Sequence, residues 1–442
     1  MVKVITYGTY DLLHHGHIRL LERAKGLGDY LIVGVTADDF DKTRGKINVQ
    51  QSLMERIEGV RDTGLADEII VEEYEGQKID DIKRYGVDIF TVGSDWVGKF
   101  DYLNEYCKVV YLERTEGVSS SEIRKQNRSF RLGLTGETQF LNKVMKEAVY
   151  VNGMHISGLC TVRREAMDVK FYKGAVITGS FDEMLEHADA VYIRSFPEHH
   201  KNHIRKALER GKHVLCESPV TLSAKETQEL FGLAADKGLI LMEAIKTAYA
   251  TAYARLLLLV KGGKIGEIVS VDATCTSLKV DEGVECVDWN GIYEWGPTAL
   301  LPVFQILGTQ YRDCRMVTRY RDKEQKRDAF TKIDFRYDHA VGTVKVGDGV
   351  KSEGELIISG TKGYVYVPAP WWKTDYFEIR YENPADNRRY FYQLDGEGIR
   401  YELVAFARAI ARGAKVSDIE GNVTYKIAEM MEMFAGRKNM VI

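Results

Sequence analysis

Three histidines fall within four positions near the start of the chain, in Leu12-Leu13-His14-His15-Gly16-His17, although the 442-residue sequence holds only ten. His14 and His17 are three apart, close to one helical turn, so both imidazoles can face the same side. Read alone, such a pair is either a metal-binding or surface pair, or a pair of donors aimed at an anion. The surroundings favour the second. KVITYG (3–8) reads as a strand and HIRLLERAKGLG (17–28) as an amphipathic helix closed by glycine. A strand, a short loop and a helix start make the usual phosphate site of α/β folds, because the first turn offers free N–H groups and a partial positive charge. Gly16 lets a polyphosphate approach the backbone. Two imidazoles there can donate to the phosphates of a nucleoside triphosphate while its α-phosphorus is attacked, stabilising charge that grows in the transition state.

A second cluster, LERTEGVSSSEIR (112–124), follows the last strand of the same unit. Arg114 can hold a phosphate bidentately. Ser119, Ser120 and Ser121 can cap a helix whose N–H groups meet an anion, with Glu122 suited to its first turn. KTRGK (42–46) is either a solvated basic loop or the seat of a second, phosphorylated substrate. GSDWVGKF (93–100) ends a strand with Asp95 and Trp96, suited to the ribose or base edge of a crevice.

Stepping along the chain, strand-like runs at 29–36, 68–72, 89–93 and 108–114 alternate with helical candidates near 52–61, 78–85 and 120–127, which predicts a parallel sheet with helices on both faces. KQNRSF (125–130) is polar and turn-like. The pattern then restarts with strands expected at 131–136, 175–178, 190–195, 213–217 and 239–244 and a clear helix at 222–237. After about residue 266 the texture turns strand-rich, and helices near 398–413 and 420–435 close the chain. The fold class expected is α/β: a Rossmann-like sheet over 1–127, a second Rossmann-like domain over 128–247, and an α+β sheet domain over 248–442. Length alone asks for two or three domains. At 45% hydrophobic, 29% charged and a net charge of −4, the composition is that of a globular protein with no surface for nucleic acid or membrane. No apolar run approaches the ~18 residues of a membrane span, and MVKVITYGTY reads directly as a strand, without a signal-peptide pattern. The six cysteines lack any CxxC spacing, so buried thiols in a reducing cytoplasm are expected, and no metal site.

TYGTYDLLHHGH, VGSDWVGKFD and YLERTEGVSSSEIR together resemble the glycerol-3-phosphate cytidylyltransferases, over residues 1–126. The resemblance implies attack of a polyol-phosphate oxygen on the α-phosphorus of CTP, loss of pyrophosphate, a CDP-polyol product used for teichoic-acid or capsule synthesis, a need for Mg²⁺, and a homodimer. It implies that Thr9, Tyr10, His14 and His17 bind and activate CTP around Gly16, that Arg114, Thr115, Ser119 and Ser120 cradle phosphates and ribose, and that Arg44, Lys46 and Lys78 hold the acceptor phosphate. One departure concerns the acceptor: Gly64, in TGLADEII, stands where the family usually has an arginine, with Arg61 nearby. An HxGH motif also occurs in class I aminoacyl-tRNA synthetases, but a basic tRNA-binding surface and their lysine-rich second signature are both missing here.

Residues 129–442, through HVLCESPVTLSAKETQELFGLAADKGLILMEAI and KGGKIGEI, resemble the glucose-fructose oxidoreductase and inositol dehydrogenase family, which uses NAD or NADP to move hydride at a sugar or polyol carbon. Its glycine fingerprint reads here Gly136-Glu137-Thr138-Gln139-Phe140-Leu141, with Thr138 at the glycine that clears space for pyrophosphate. Arg163 and Arg164 follow the second strand of this unit, where an acidic residue favours NAD and arginine the NADP 2′-phosphate; they are either partners of that phosphate or surface residues. The family's Glu-Lys-Pro reads Glu217-Ser218-Pro219, without the lysine proton donor. Hydride transfer needs such a donor beside the carbinol oxygen. Lys246 is either its substitute or an exposed lysine, and Glu294 occupies a later catalytic position. His200 either faces the cleft or simply starts a helix. Two functions stay open for this half: a reductase that makes the polyol phosphate from a keto-sugar phosphate, or a non-catalytic binding or dimerising module.

Overall fold

The computed structural model describes residues 1–43, 46–74, 76–113, 130–136, 138–161, 174–278, 291–322, 327–392, 394–413, 417–436, 438 and 440–441. The chain forms two compact units, Met1–Ser129 and Phe130–Ile442.

In the first unit, strands β1 (Lys3–Gly8), β2 (Tyr30–Thr36), β3 (Glu68–Glu72), β4 (Ile89–Gly93) and β5 (Lys108–Leu112) alternate with helices α1 (His15–Lys25), α2 (Asp38–Thr43), α3 (Leu53–Asp62) and α4 (Gln77–Tyr85). The sheet is parallel throughout, in the order β3-β2-β1-β4-β5. Successive strand residues face opposite sides, so Val4, Leu31 and Val33 enter one core while Ile5, Ile32 and Phe90 enter the other. Each such side chain contributes roughly 1.5–3 kcal/mol on burial. Both faces being covered, the strands read as nearly continuous apolar runs. α3 opens with a reciprocal capping box between Ser52 and Glu55. The strand order reverses between β1 and β4, and a crevice at such a switch point is where α/β sheets take ligands.

The second unit begins with β6 (Phe130–Gly136), α5 (Thr138–Ala148), β7 (Met154–Cys160), β8 (Val176–Thr178), α6 (Phe181–Glu186), β9 (Ala190–Arg194), α7 (Pro197–Glu209), β10 (His213–Glu217), α8 (Ala224–Asp236) and β11 (Leu241–Ala244). These strands form a parallel sheet in the order β11-β10-β9-β6-β7-β8, with its switch point between β6 and β9. Next come α9 (Thr251–Lys261), β12 (Ile268–Ser277), α10 (Gly291–Leu307), β13 (Asp313–Asp322), β14 (Arg327–Arg336), β15 (Val341–Asp348), β16 (Leu356–Gly360), β17 (Tyr364–Val367), β18 (Tyr376–Arg380), β19 (Arg388–Phe391), α11 (Ile399–Arg412), α12 (Gly421–Ala435) and β20 (Met440–Val441). The nine strands make one mixed sheet, β19-β18-β17-β16-β12-β15-β14-β13-β20, against which α10 packs at β12, β14 and β15. The mixed α/β class expected from the sequence is the one observed. β7 stands where a second strand is expected ahead of Arg163, whereas the helices α2, α9 and α10 are not expected, and α10 runs for 17 residues despite Pro297 and Pro302.

Candidate active site

The loop leaving β1 is strained and heavily tied. Tyr10 and Leu12 both adopt positive φ, 53° and 49°, without being glycine. Such left-handed residues cost of order 1–3 kcal/mol each and persist only where the surroundings over-determine them. Here the Asp11 carboxylate accepts the backbone N–H groups of Gln50 and Gln51 at 3.0 and 2.9 Å, and Leu12 N–H donates to Gln51 Oε1 at 2.7 Å. Arg56, at the end of the first turn of α3 and only 1% exposed, donates to the carbonyls of Thr9 at 2.6 Å and Thr36 at 2.8 Å and pairs with Asp38. A buried arginine needs this many acceptors to offset its desolvation.

That scaffold presents the histidines. The rings of His14 and His17 stack, 3.9 Å between centroids and 19° between planes, and Tyr10 meets His17 edge-on at 5.5 Å. His14 caps α1: its Nδ1 accepts the Gly16 N–H at 3.1 Å. A nitrogen that accepts carries no hydrogen, so the hydrogen of neutral His14 resides on Nε2, which makes Nε2 the donor atom of the ring. His15 does not join the pair; it is exposed and lies against Arg19, 3.3 Å from Nε. Thr9 Oγ1 donates to Asp41 at 2.8 Å and accepts from Lys46 Nζ at 2.9 Å.

Beside the loop, a pocket of about 350 Å³ is lined by Tyr7, Gly8, Thr36, Lys46, Glu72, Lys78, Trp96 and Phe100. Lys46 and Lys78, expected to share a phosphate, thus line one pocket. Lys78 is 8% exposed, pairs with the buried Glu72 and lies 4.7 Å above the Tyr7 ring. Glu72 is oriented by Thr36 Oγ1 at 2.8 Å. Tyr7 donates to Asp81 at 2.8 Å, and burial, reinforced by Asp81, raises its phenol well above the ordinary value. Trp96 belongs to this same pocket, whereas Asp95, next to it, is exposed. Gly64 is exposed with open space around it, and Arg61 is turned to Glu58 on the helix surface. Arg44, Arg114, Thr115, Ser119 and Ser120 lie outside the described residues. Asp11, Arg56 and Glu72 are the supporting residues that sequence reasoning missed. Only Arg56, a charge on the apolar stripe of a helix, left a trace there.

In the second unit the crevice lies beyond Gly136 and Arg194. Gly136 has φ 146°, and a Cβ on it would come within 2.4 Å of the Arg194 carbonyl oxygen, so only glycine lets β6 pass there. Arg194 stacks its guanidinium 5.3 Å from the Phe140 ring and pairs with Glu294 of α10 at 2.9 Å. Burial opposes its charge, but Glu294 and Glu217 outweigh it and hold the guanidinium above its ordinary value. Glu217 accepts from Tyr192 Oη at 2.5 Å. Burial raises its carboxyl, with Arg194 opposing. Ser218 donates to Glu243. Pro219 is buried, and its carbonyl lies 2.8 Å from His200 Nδ1. His200 itself is 1% exposed with its Nε2 2.8 Å from the Ser195 carbonyl, so it braces two loops and does not face the cleft. Lys246, 30% exposed, lies 3.6 Å from Glu397. The side chain of Thr138 and all of Arg163 and Arg164 lie outside the described residues. A glycine-only strand end and a guanidinium at the switch point suit a dinucleotide pyrophosphate, although Arg194 meanwhile spends its charge on Glu294.

Two parallel sheets, each with a polar site at its switch point, define a nucleotidyltransferase-type unit followed by an oxidoreductase-type unit. The cytidylyltransferase-like family matches residues 5–126, and the oxidoreductase family with NAD-binding Rossmann fold matches residues 137–245. The glycerol-3-phosphate cytidylyltransferase of Bacillus spizizenii is 50% identical over 130 residues, 28% of this chain and 96% of that protein. The trans-1,2-dihydrobenzene-1,2-diol dehydrogenase of Oryctolagus cuniculus is 26% identical over 254 residues, 54% of this chain and 76% of that protein. A 3-ketoreductase from Actinomadura kijaniata, solved with NADP and TDP-benzene, superposes with a TM-score of 0.63 over 71% of this chain and 99% of its own; at 18% identity the likeness is one of fold. The chain belongs to the glycerol-3-phosphate cytidylyltransferase family through its first unit, a nucleotidyltransferase, and carries an oxidoreductase-family domain behind it.

Proposed function

We propose that the first unit transfers the cytidylyl group of CTP to a polyol phosphate such as glycerol phosphate, releasing pyrophosphate and a CDP-polyol. The stacked His14–His17 pair at the start of α1, with Nδ1 of His14 taken by the helix cap, carries this reading. Nε2 of His14 donates to phosphate oxygens as charge builds on them. The Lys46–Lys78 pocket takes the acceptor phosphate, whose oxygen displaces pyrophosphate. Mg²⁺ bound with CTP would supply neutralisation of the triphosphate charge, held largely by the phosphates and water. Incubation with CTP, Mg²⁺ and a panel of polyol phosphates, reading pyrophosphate release, tests the assignment.

The second unit acts on the neighbouring step: it uses NADH or NADPH to reduce a keto-sugar phosphate to the polyol phosphate that the first unit consumes. Consecutive steps on one chain motivate this pairing, and the product serves synthesis of a cell-surface polymer. The enzyme works in the cytoplasm as a homodimer; its described cysteines are free thiols, and no described helix is long and apolar enough to cross a membrane. One observation favours a second reading, in which this unit is a non-catalytic module: Ser218 replaces the lysine donor and is occupied with Glu243. Calorimetry with the nicotinamide cofactors separates the two, since only a reductase needs to bind them.

A further inference from the structure

Tyr192, on β9, lies between two carboxyl groups. Its hydroxyl is 2.5 Å from Glu217 Oε1 at the end of β10 and 2.7 Å from Glu402 Oε1 on α11. Three oxygens joined by two hydrogen bonds require two hydrogens, and the phenol supplies one. The other must sit on a carboxyl. Burial decides which. Glu402 is 0% exposed, and its Oε2 has no hydrogen-bond partner among the described residues. An ionised carboxylate left so is far too costly, so the neutral acid is the form that fits. Burial raises the Glu217 carboxyl as well, but Glu217 is only half-buried, and Arg194 from β9, the Tyr192 hydroxyl and Lys246 from the turn after β11 oppose that rise, with Glu294 from α10 adding to it. Glu402, wholly buried beside Glu217, is raised further and is the better seat for the hydrogen. Phe140 closes over Tyr192 edge-on at 5.9 Å. The arrangement therefore reads Glu402 O–H to Tyr192 Oη, and Tyr192 O–H to the Glu217 carboxylate.

We propose that Glu402, Tyr192 and Glu217 form a proton-delivery chain from the interior of the second unit to its crevice, supplying the proton that Ser218 cannot. This rests on the reading of that unit as a ketone reductase. The carbonyl carbon accepts a hydride from a reduced nicotinamide, and the π pair of the C=O bond moves onto oxygen. Tyr192 passes its hydroxyl proton to the Glu217 carboxylate as it takes the hydrogen of Glu402, leaving Glu402 as the carboxylate. The alkoxide oxygen then takes the proton from the newly protonated Glu217. One hydride and one proton have been added to the carbonyl, and Glu402 regains its proton from water before the next turnover. Glu402 and Tyr192 act through Glu217 and do not touch the substrate.

Infrared difference spectroscopy on the full chain, without cofactor, reads the stored proton. Wild type should show at neutral pH a carboxylic-acid carbonyl band that shifts in D₂O and disappears in Glu402→Gln. In reduction of a ketose phosphate by NADPH, Glu402→Gln and Tyr192→Phe should lower kcat by about 100-fold, the low end of what a positioned acid contributes, with KM little changed and partial rescue in Glu402→Asp. Cytidylyl transfer by the same variants should stay at the wild-type rate, and their second unit should unfold in urea at a midpoint close to wild type, showing that both units are folded. No band in wild type, or a Glu402→Gln variant that reduces at the wild-type rate, would overturn the proposal. Wild type that shows the band yet reduces no ketose phosphate overturns the reductase reading and the delivery role with it, while leaving the stored proton in place.

Discussion

Arg56 reaches across 47 positions of sequence to donate to the carbonyl of Thr9 at 2.6 Å, fixing the first residue of the strained loop that ends at His14. The same guanidinium nitrogen holds the Thr36 carbonyl at 2.8 Å, so one side chain ties the ends of β1 and β2 together. Replacing it by alanine leaves buried acceptors and carboxylates unpaired. We expect Arg56→Ala to lose about 3–5 kcal/mol of stability, as for removal of one partner from a buried ion pair, and to cut cytidylyl transfer at least 10-fold. Urea unfolding and a transfer assay measure both; a variant with the wild-type midpoint and rate would show that Arg56 is not the loop's clamp.

Lys46 lines the pocket beside Lys78 and donates to Thr9 Oγ1 at 2.9 Å. Lys46→Ala should raise KM for the polyol phosphate about 10-fold, the ~1.4 kcal/mol expected for loss of one charge-assisted contact, and leave CTP affinity within about 2-fold. Separate titrations of the two substrates check this. Loss of CTP affinity with an unchanged acceptor KM would mean the two sites have been exchanged in our reading.

Glu294 competes for the guanidinium that faces the switch point, Arg194, at 2.9 Å. Glu294→Gln should release Arg194 for a cofactor pyrophosphate and tighten NAD(P) binding by about 3- to 5-fold, a modest factor because the carboxylate is 35% exposed and screened. Calorimetric titration gives the answer; weaker binding in the variant would place the carboxylate on the cofactor's side of the balance.

Asp328 caps the start of α10, accepting the Ile292 N–H at 3.2 Å and the Thr331 hydroxyl at 3.0 Å. Burial pushes its carboxyl up from 3.8 to about 6, with the hydrogen bonds of Thr331 and the helix start opposing. The folded state therefore holds this proton more tightly than the unfolded chain. Its contribution is fully present below about pH 4, is lost as the pH rises to about 6, and is level above that. The loss amounts to about 3 kcal/mol. Relative to wild type, Asp328→Asn should gain that amount of stability between pH 4 and pH 7, measured by chemical denaturation at each pH. A difference independent of pH would show that the group ionises alike in both states.

The sequence exposed what is local. The His14–His17 spacing, the strand before it and the glycine within it fall in fifteen residues, and the parallel sheets follow from alternating apolar runs. The bounds of β7 were harder to read, because MHISGLC mixes polar, small and apolar residues with no clear period. α10 escaped because Gly296, Pro297 and Pro302 argue against a helix, yet the burial of Ile292, Leu300, Leu301, Val303 and Phe304 outweighs them. The supporting polar residues were hidden for a different reason. Asp11 meets Gln50 and Gln51 across about 40 positions, and Tyr192 meets Glu402 across 210. No spacing rule reaches that far, and only the folded chain brings those oxygens and nitrogens together.

Nucleotidyl transfer here is proposed to hang on the stacked imidazole pair at the mouth of β1, and removing one of the two rings is the sharpest probe of it. With CTP, Mg²⁺ and glycerol phosphate, wild type should release pyrophosphate, whereas His17→Ala should do so at least about 100-fold more slowly, the loss expected for one preorganised transition-state donor. Equal release by the two proteins, or none by wild type with any polyol phosphate, would contradict it.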